Sequence, residues 1–382
     1  MKRQAQAIAT LVGATIGAGI LGIPYVAVRA GIINTVIMLV ILGAVVLFLN
    51  LYIGEVTLRT KKRHELSGYV DKYWGKTGKL LMTIAIFIWV LGALTAYTLG
   101  VGEALHAIFG SVSANIFSML FYLMMVVLLY FGLKMVAKTE LVLSGIMMIV
   151  LLGILLFVGA QLKPGGIVMG QLTVSNLFLP IGVILFALMS EVAIPEMLPQ
   201  LKNKKKFKKC ILWGTLIPIV VYLLFAIVIG SFVGLEYFEQ LTPNQRVATI
   251  PLGQLLGAKM LILANLFAVV AMATSFLVLG LALIWTMQYD YGTKKNIAWV
   301  VTSIVPLFFI LLGRTSFIGA MDFAGGFAGG LLGLVMIVTY HKARKKTERK
   351  PEYTIKYPNL ISTFLVIVFV IVLMQQVLRL IF

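Results

Sequence analysis

Long apolar runs separated by short polar segments organise the whole chain. Windows of about 20 apolar residues, the length that crosses a bilayer core, recur eleven times. They fall at roughly 6–29, 32–57, 80–109, 115–133, 137–162, 176–200, 211–234, 259–287, 297–313, 318–340 and 359–381. We refer to these as spans 1 to 11. Spans 1 and 2 meet at Gly31 with almost no connector. The pattern predicts an all-α polytopic membrane protein with about eleven transmembrane helices. Composition agrees: 61% of the 382 residues are hydrophobic and the mean hydropathy is +1.04. That leaves little material for a domain outside the bilayer.

The polar segments carry the charge, and they carry it unevenly. A net charge of +19 would suit nucleic acid, but the basic residues sit in short loops between apolar spans, so no nucleic-acid partner is expected. Six basic residues, Arg29, Lys163, Arg246, Lys259, Arg314 and Arg379, fall on one side of the predicted topology. The other 26 of the 32 fall on the opposite side, chiefly at the amino terminus and in 58–79, 202–209 and 342–350. Cytoplasmic loops are the basic ones. The expected placement is a cell (plasma or inner) membrane, with the amino terminus in the cytoplasm and the carboxyl terminus outside. The cluster KNKKKFKK at 202–209 reads as a topology anchor with affinity for anionic lipid.

Two connectors exceed a simple turn. Segment 58–79 fits an amphipathic helix lying on the membrane face. Segment 235–258, LEYFEQLTPNQRVATIPLGQLLGA, fits a lid on the outer side. Plain connectors would account equally for both. Cys210 is the single cysteine and three histidines are scattered, so neither an intrachain disulfide nor a metal cluster is expected. No cleavable leader is expected either, because span 1 is long and runs into Pro24-Tyr25.

Two spans contain residues that weaken helices. Span 1 holds GATIGAGILGIPY, Gly13 to Tyr25, with four glycines and a proline. Glycine costs a helix about 1 kcal/mol relative to alanine and proline about 3. Lipid offers no substitute hydrogen bonds, so a broken helix survives there only when buried in protein or lining a wet cavity. Close helix packing through the Gly13/Gly17 GxxxG pair is one reading; an unwound, ligand-binding midpoint is the other. Span 6, LFLPIGVILFALMSEVAIPEMLPQ, carries Pro180, Gly182, Pro195, Pro199 and the acid Glu191 at membrane depth. An acid there is costly unless partnered or protonated.

Spans 1 and 6 each open a block of five. Because five is odd, the two blocks enter the membrane with opposite orientation, the condition for an inverted-topology repeat with discontinuous helices at matching positions. LGIPY in span 1 and VAIPE in span 6 echo one another. The expected organisation is a first repeat over 1–162, a second over 176–340, and an additional helix over 359–382.

GATIGAGILGIPY resembles the first-helix signature of the amino acid–polyamine–organocation superfamily, and ALMSEVAIPEM in span 6 supports the likeness. Within it the chain is similar to the amino acid/auxin permease branch and its aromatic amino acid permease relatives. The resemblance covers spans 1–10 in order and spacing. It implies a five-plus-five inverted repeat in which helices 1, 2, 6 and 7 move against a scaffold of 3, 4, 8 and 9. It also implies an amino acid cargo carried with Na⁺ or H⁺ by alternating access, and no other cofactor.

An amino acid brings a carboxylate and an ammonium. Freed amides around Thr15, Gly17, Ala18 and Gly19, at the positive end of a helix dipole, suit the carboxylate. Freed carbonyls near Ala187, Leu188 and Ser190 suit the ammonium. Phe186 and Met189 are candidates for an apolar side-chain pocket, and Tyr97 of span 3 for a hydrogen bond to the carboxylate. Span 8 reads AVVAMATSFLVLG, with hydroxyls at Thr274 and Ser275 and Ala271 a turn earlier. This resembles the sodium site of Na⁺-coupled members, where such groups meet two helix 1 carbonyls, here Gly13 and Ile16. Hard cations favour these oxygens. The bland alternative is that Thr274 and Ser275 bond carbonyls of their own helix.

The rival coupling ion is H⁺. The resemblance implies that proton-coupled relatives can place a lysine on helix 5 where sodium would sit; span 5 has no mid-membrane lysine, which favours sodium, whereas Glu191 favours a proton, pairs with an ammonium, or caps a helix end. Some aromatic permease relatives have histidine where Glu191 falls. Asp322, early in span 10, and Arg29, at the outer end of span 1, form a candidate gate pair, against ordinary surface charge. The overlapping GxxxG pairs Gly325/Gly329 and Gly326/Gly330 are assigned to packing, and Glu103 and His106 are assigned no role. The leading reading is a symporter for a neutral, aromatic or large apolar, amino acid. The intramembrane charges are too few for a channel, and no paired acids, Ser/His set or metal spacing supplies an enzyme. A sensor derived from a transporter stays open.

Overall fold

The computed structural model describes residues 2–131, 136–162, 169–313 and 315–381. Among them the fold is helical throughout, with no strand. Among the described residues nine helices are long and apolar enough to cross a membrane, and a bent pair forms a tenth span. That pair is span 1. Helix α1 (Lys2–Thr15) ends two residues past Gly13, the first of the glycines, a 3₁₀ turn covers Ala18–Gly22, and α2 (Ile23–Ala30) restarts with Pro24 in its first turn. The halves diverge by 43°. Proline is tolerated there because the first amides of a helix lack intrahelical partners.

Span 2 is the unbroken α3 (Ile32–Arg59). The short α4 (Leu66–Trp74) precedes α5 (Lys76–Phe109), α6 (Ala114–Phe131) and α7 (Val136–Gly159). Span 6 divides into α8 (Val174–Leu177), α9 (Ile181–Leu188) and α10 (Ile194–Met197), with Met189 and Ser190 outside any helix. Then follow α11 (Phe207–Val233), the short α12 (Leu235–Gln240) and α13 (Thr249–Leu256), α14 (Ala258–Tyr291) and α15 (Lys295–Leu312). Span 10 is α16 (Phe317–Phe323) and α17 (Gly329–Lys345), joined by a π turn at Ala324–Ala328; span 11 is α18 (Pro358–Ile381).

Two glycine stripes explain how span 10 is seated. A Cβ on Gly325 or Gly329 would meet α9, at Phe186 and Leu185 respectively. On Gly326, Gly330 and Gly333 it would meet Gln376, Leu373 and Phe369 of α18. The GxxxG pairs therefore let span 10 approach a neighbour on each side, as small residues do in membrane bundles.

Segment 58–79 departs from expectation. Its helix α4 does not present its apolar side to lipid: Leu66, Tyr69, Val70 and Tyr73 are buried, and α4 packs on α5 and α17. Folding that side onto protein removes it from the bilayer surface. The seal is completed by a buried acid, Glu55, which is fully enclosed. One of its oxygens accepts from Arg59 Nε and Nη2 at 2.9 and 2.7 Å; the other accepts from the Tyr340 hydroxyl at 3.2 Å and the Ile355 amide at 2.8 Å. Segment 346–357 is thereby strapped across the basic end of the bundle. Glu348 adds a 2.6 Å ion pair with Lys72 and accepts from the Lys61 amide at 2.8 Å.

The 235–258 connector, on the opposite face, is built rather than loose. It contains α12, a 3₁₀ turn at Pro243–Gln245 closed by a Thr242/Gln245 capping box, and α13. Gly234 and Gly257 bracket it at φ 78° and 90°, a left-handed backbone that favours glycine. The Ala248 amide donates to the Leu21 carbonyl at 3.0 Å, and the Phe317 amide donates to Asn244 Oδ1 at 3.3 Å. The connector is thus fastened to the interrupted part of span 1 and to the start of span 10.

Candidate substrate and ion site

The two interruptions face one another. Val12 is the last residue of α1 whose carbonyl is taken up by a regular helical bond, from Ile16; Gly17 then turns extended (φ −118°, ψ −153°). Ala18 and Gly19 open the next turn, so their amides have no acceptor within it. In span 6 the chain leaves the helix at Met189 (ψ 115°), and the last carbonyls of α9 are released. Tyr222 of α11 stands between the two. Its hydroxyl lies 2.6 Å from the Thr15 carbonyl, which also accepts from the Gly17 amide at 3.0 Å, and 2.9 Å from the Ala187 carbonyl, one donated proton shared between two acceptors. The approach is close: a Cβ on Gly19 would come within 2.8 Å of Ala187 Cα, and one on Gly17 within 3.1 Å of Ser275 Oγ.

A cavity of about 90 Å³ opens beside this junction. The expected residues Gly13, Thr15, Ile16, Gly17, Gly19, Tyr97, Phe186, Ala187, Met189, Ser190, Thr274 and Ser275 all line it. Ala18, Leu188, Glu191 and Ala271 do not. The side chain of Glu191 is 2% exposed, just past the break, with Oε2 unpartnered among the described residues. Ala271 contributes through its carbonyl, which accepts from Thr274 Oγ1 at 3.0 Å; the same hydroxyl lies 3.0 Å from the Val270 carbonyl. Thr274 therefore bonds its own helix while lining the cavity. Thr15 Oγ1 likewise donates to Leu11 O at 2.7 Å. Tyr97 and Phe186 meet edge to face, centroids 6.3 Å apart.

Further lining residues were not anticipated. Trp89, one stripe along α5 from Tyr97, brings a buried indole N–H with no acceptor among the described residues. Val278 and Leu279, one turn past Thr274 and Ser275, and Met147 of α7 complete an apolar wall. The helical spacing of Trp89 to Tyr97 and of Ser275 to Leu279 is the signal that could have found them. Tyr222 had no such signal, being one tyrosine in an apolar span. Among the described residues no acid or base lines the cavity, and no group of three or more His, Cys, Asp or Glu is able to hold a metal.

The expected gate pair is not made. Asp322 lies in the second turn of span 10 and pairs with Arg379, brought to it by α18, whose Gln376 amide also donates to the Asp322 carbonyl at 3.3 Å. Arg29 instead donates to the Tyr25 hydroxyl at 3.1 Å. The carboxylate is taken by the additional helix, which the pattern of spans 1–10 does not reveal.

Two broken apolar spans that meet around a cavity in a multi-pass membrane protein are the arrangement of a membrane permease. The chain belongs to the tryptophan/tyrosine permease family, whose sequence profile matches residues 2–376. It is 24% identical over 353 residues to glutamine transporter 2 of Aliivibrio fischeri, covering 88% of this chain and 89% of that protein. It is 26% identical over 332 residues to tyrosine-specific transport system 1 of Haemophilus influenzae, covering 82% and 81% respectively.

Proposed function

We propose that this protein is a cation-coupled symporter of a neutral amino acid, working by alternating access with its amino terminus in the cytoplasm. The observation that carries this reading is the uncharged cavity bounded by both helix breaks. The amides that open the turn at Ala18–Gly19 would take the carboxylate, and the freed carbonyls of Ala187 and Leu188, with Ser190, the ammonium. Trp89, Met147, Phe186, Met189, Val192, Val278 and Leu279 leave the side chain an apolar surface, which suits an aromatic or large apolar amino acid over a charged one. The Trp89 N–H supplies one directional donor. That the relatives carry glutamine and tyrosine by name supports a neutral cargo.

Sodium is the coupling ion in this reading. Gly13 and Ile16 share the cavity with Thr274 and Ser275, and neutral hydroxyl and carbonyl oxygens are the donors a hard monovalent cation requires. The test is uptake by proteoliposomes under an imposed sodium gradient, alongside a thermal-shift screen of the twenty amino acids with and without sodium. Uptake that follows a pH gradient and ignores sodium would refute sodium coupling.

One observation favours a second reading. Glu191 has a buried, unpartnered oxygen beside the span 6 break, as a proton carrier would. Under proton coupling, Glu191→Gln abolishes the pH dependence of uptake; under sodium coupling the profile survives.

A further inference from the structure

A second cavity, of about 310 Å³, lies further along span 1 on the face of the 235–258 connector. Among the described residues, three of the basic residues on that side line it: Arg29, Arg246 and Arg379. Asp322 neutralises Arg379. The other two converge on one buried phenol. Arg29 Nη1 and Arg246 Nη1 donate to the Tyr25 hydroxyl at 3.1 and 2.9 Å, and their guanidinium carbons lie 5.9 and 4.8 Å from its ring centroid. Arg246 is further fixed by donating Nε to the Phe238 carbonyl at 3.3 Å. Neither has a carboxylate within 4 Å among the described residues. Two guanidiniums on one neutral oxygen repel each other and retain free donors.

Such a fork matches a carboxylate. The rest of the lining argues for an organic one: Val26, Leu179, Val183, Pro243 and Ile318 present apolar surface, and the volume far exceeds a single inorganic ion. We infer that this cavity is a binding site for an amphiphilic monocarboxylate, held by Arg29 from α2 and Arg246 from the connector, with its apolar part against Val183 and Ile318. A ligand there bridges the connector and span 1. The site stands apart from the central cavity and needs no ammonium on its ligand.

The test uses N-acetyl-L-leucine, which keeps a carboxylate and an apolar tail but has no ammonium, on the purified full chain in low-salt detergent buffer. It is expected to raise the unfolding temperature of the wild type in a saturable way, while the uncharged N-acetyl-L-leucinamide does not. Arg29→Gln and Arg246→Gln should each weaken its apparent affinity about tenfold or more, the loss of one charge-assisted contact. Arg29 and Arg246 line this cavity and not the central one, so their variants also separate the two sites. Equal stabilisation by the amide, or indifference to both arginine variants, would overturn the proposal. So would sodium chloride giving the same saturable shift with the same arginine dependence, since the site would then be one for inorganic anions. Should the arginine variants not fold, the acid-against-amide comparison on the wild type still decides.

Discussion

Tyr222 reaches the carbonyl of Ala187 at 2.9 Å, and the same hydroxyl lies 2.6 Å from the carbonyl of Thr15. A single side chain on α11 thus ties the open end of one broken span to the open end of the other. In a bilayer those carbonyls have no water to turn to, so Tyr222 stabilises both interruptions at once.

Tyr222→Phe removes that donor and keeps the ring. Buried acceptors left unmade cost about 1–3 kcal/mol. The variant should fold with a lower unfolding temperature and bind amino acid about tenfold more weakly, measured by thermal shift and by titration of the purified protein.

Gly19→Val places a side chain against Ala187 Cα, where even a Cβ would stand at 2.8 Å. Backbone cannot yield as a flexible side chain can, so the breaks must separate. Amino acid binding should disappear while the protein still elutes as a folded species on gel filtration.

Thr274→Ala combined with Ser275→Ala deletes both hydroxyls from the cavity wall and leaves the helix 1 carbonyls in place. Sodium stabilisation of the purified protein should be lost, with amino acid binding at saturating concentration retained. The measurement is unfolding temperature across a sodium titration at constant ionic strength.

Glu55→Ala should be among the most damaging single changes on the basic face. It leaves the Arg59 guanidinium, 2.7 Å away, buried without its partner, and strands the Ile355 amide. Breaking a buried pair from one side costs about 3–5 kcal/mol. Circular dichroism on heating should show the loss, and proteolysis should reach segment 346–357 first.

Acid should loosen the same strap. The Lys61 amide, then Lys72, hold the Glu348 carboxyl below its ordinary range. A group depressed in the folded state stabilises above its unfolded pKa, near 4.3, and that contribution is lost as pH falls through the lower folded value. Protection of the 346–353 amides, taken relative to intrinsic exchange at each pH, should fall below about pH 4 in the wild type, and should already be low at neutral pH in Glu348→Gln.

Much of this was legible in the sequence because lipid imposes severe rules. Uninterrupted apolar length marks most spans, and the clustered glycines and prolines of 13–25 and 180–199 mark where two of them part. Twelve of the residues expected at the site line one cavity for the same reason: freed backbone can sit only beside a hollow. What escaped depends on pairings between distant elements. Tyr222, Trp89 and Met147 come from α11, α5 and α7, and nothing local distinguishes them from packing residues. Asp322 was matched to Arg29 because both belong to one predicted end; the nearer arginine arrives from α18. Segment 58–79 showed amphipathicity but not which apolar surface would cover it, and protein rather than lipid does so.

The bond from the Ala248 amide to the Leu21 carbonyl joins main chain to main chain. No exchange of side chains at either position can remove it, with one exception: proline at 248, where φ is already −50°, would erase the proton without asking the backbone to bend. The cap over this end of the bundle is therefore indifferent to the chemistry of the residues that form the joint. It answers to where Leu21 stands, so whatever straightens or tilts the middle of span 1 also lifts or lowers the cover above it.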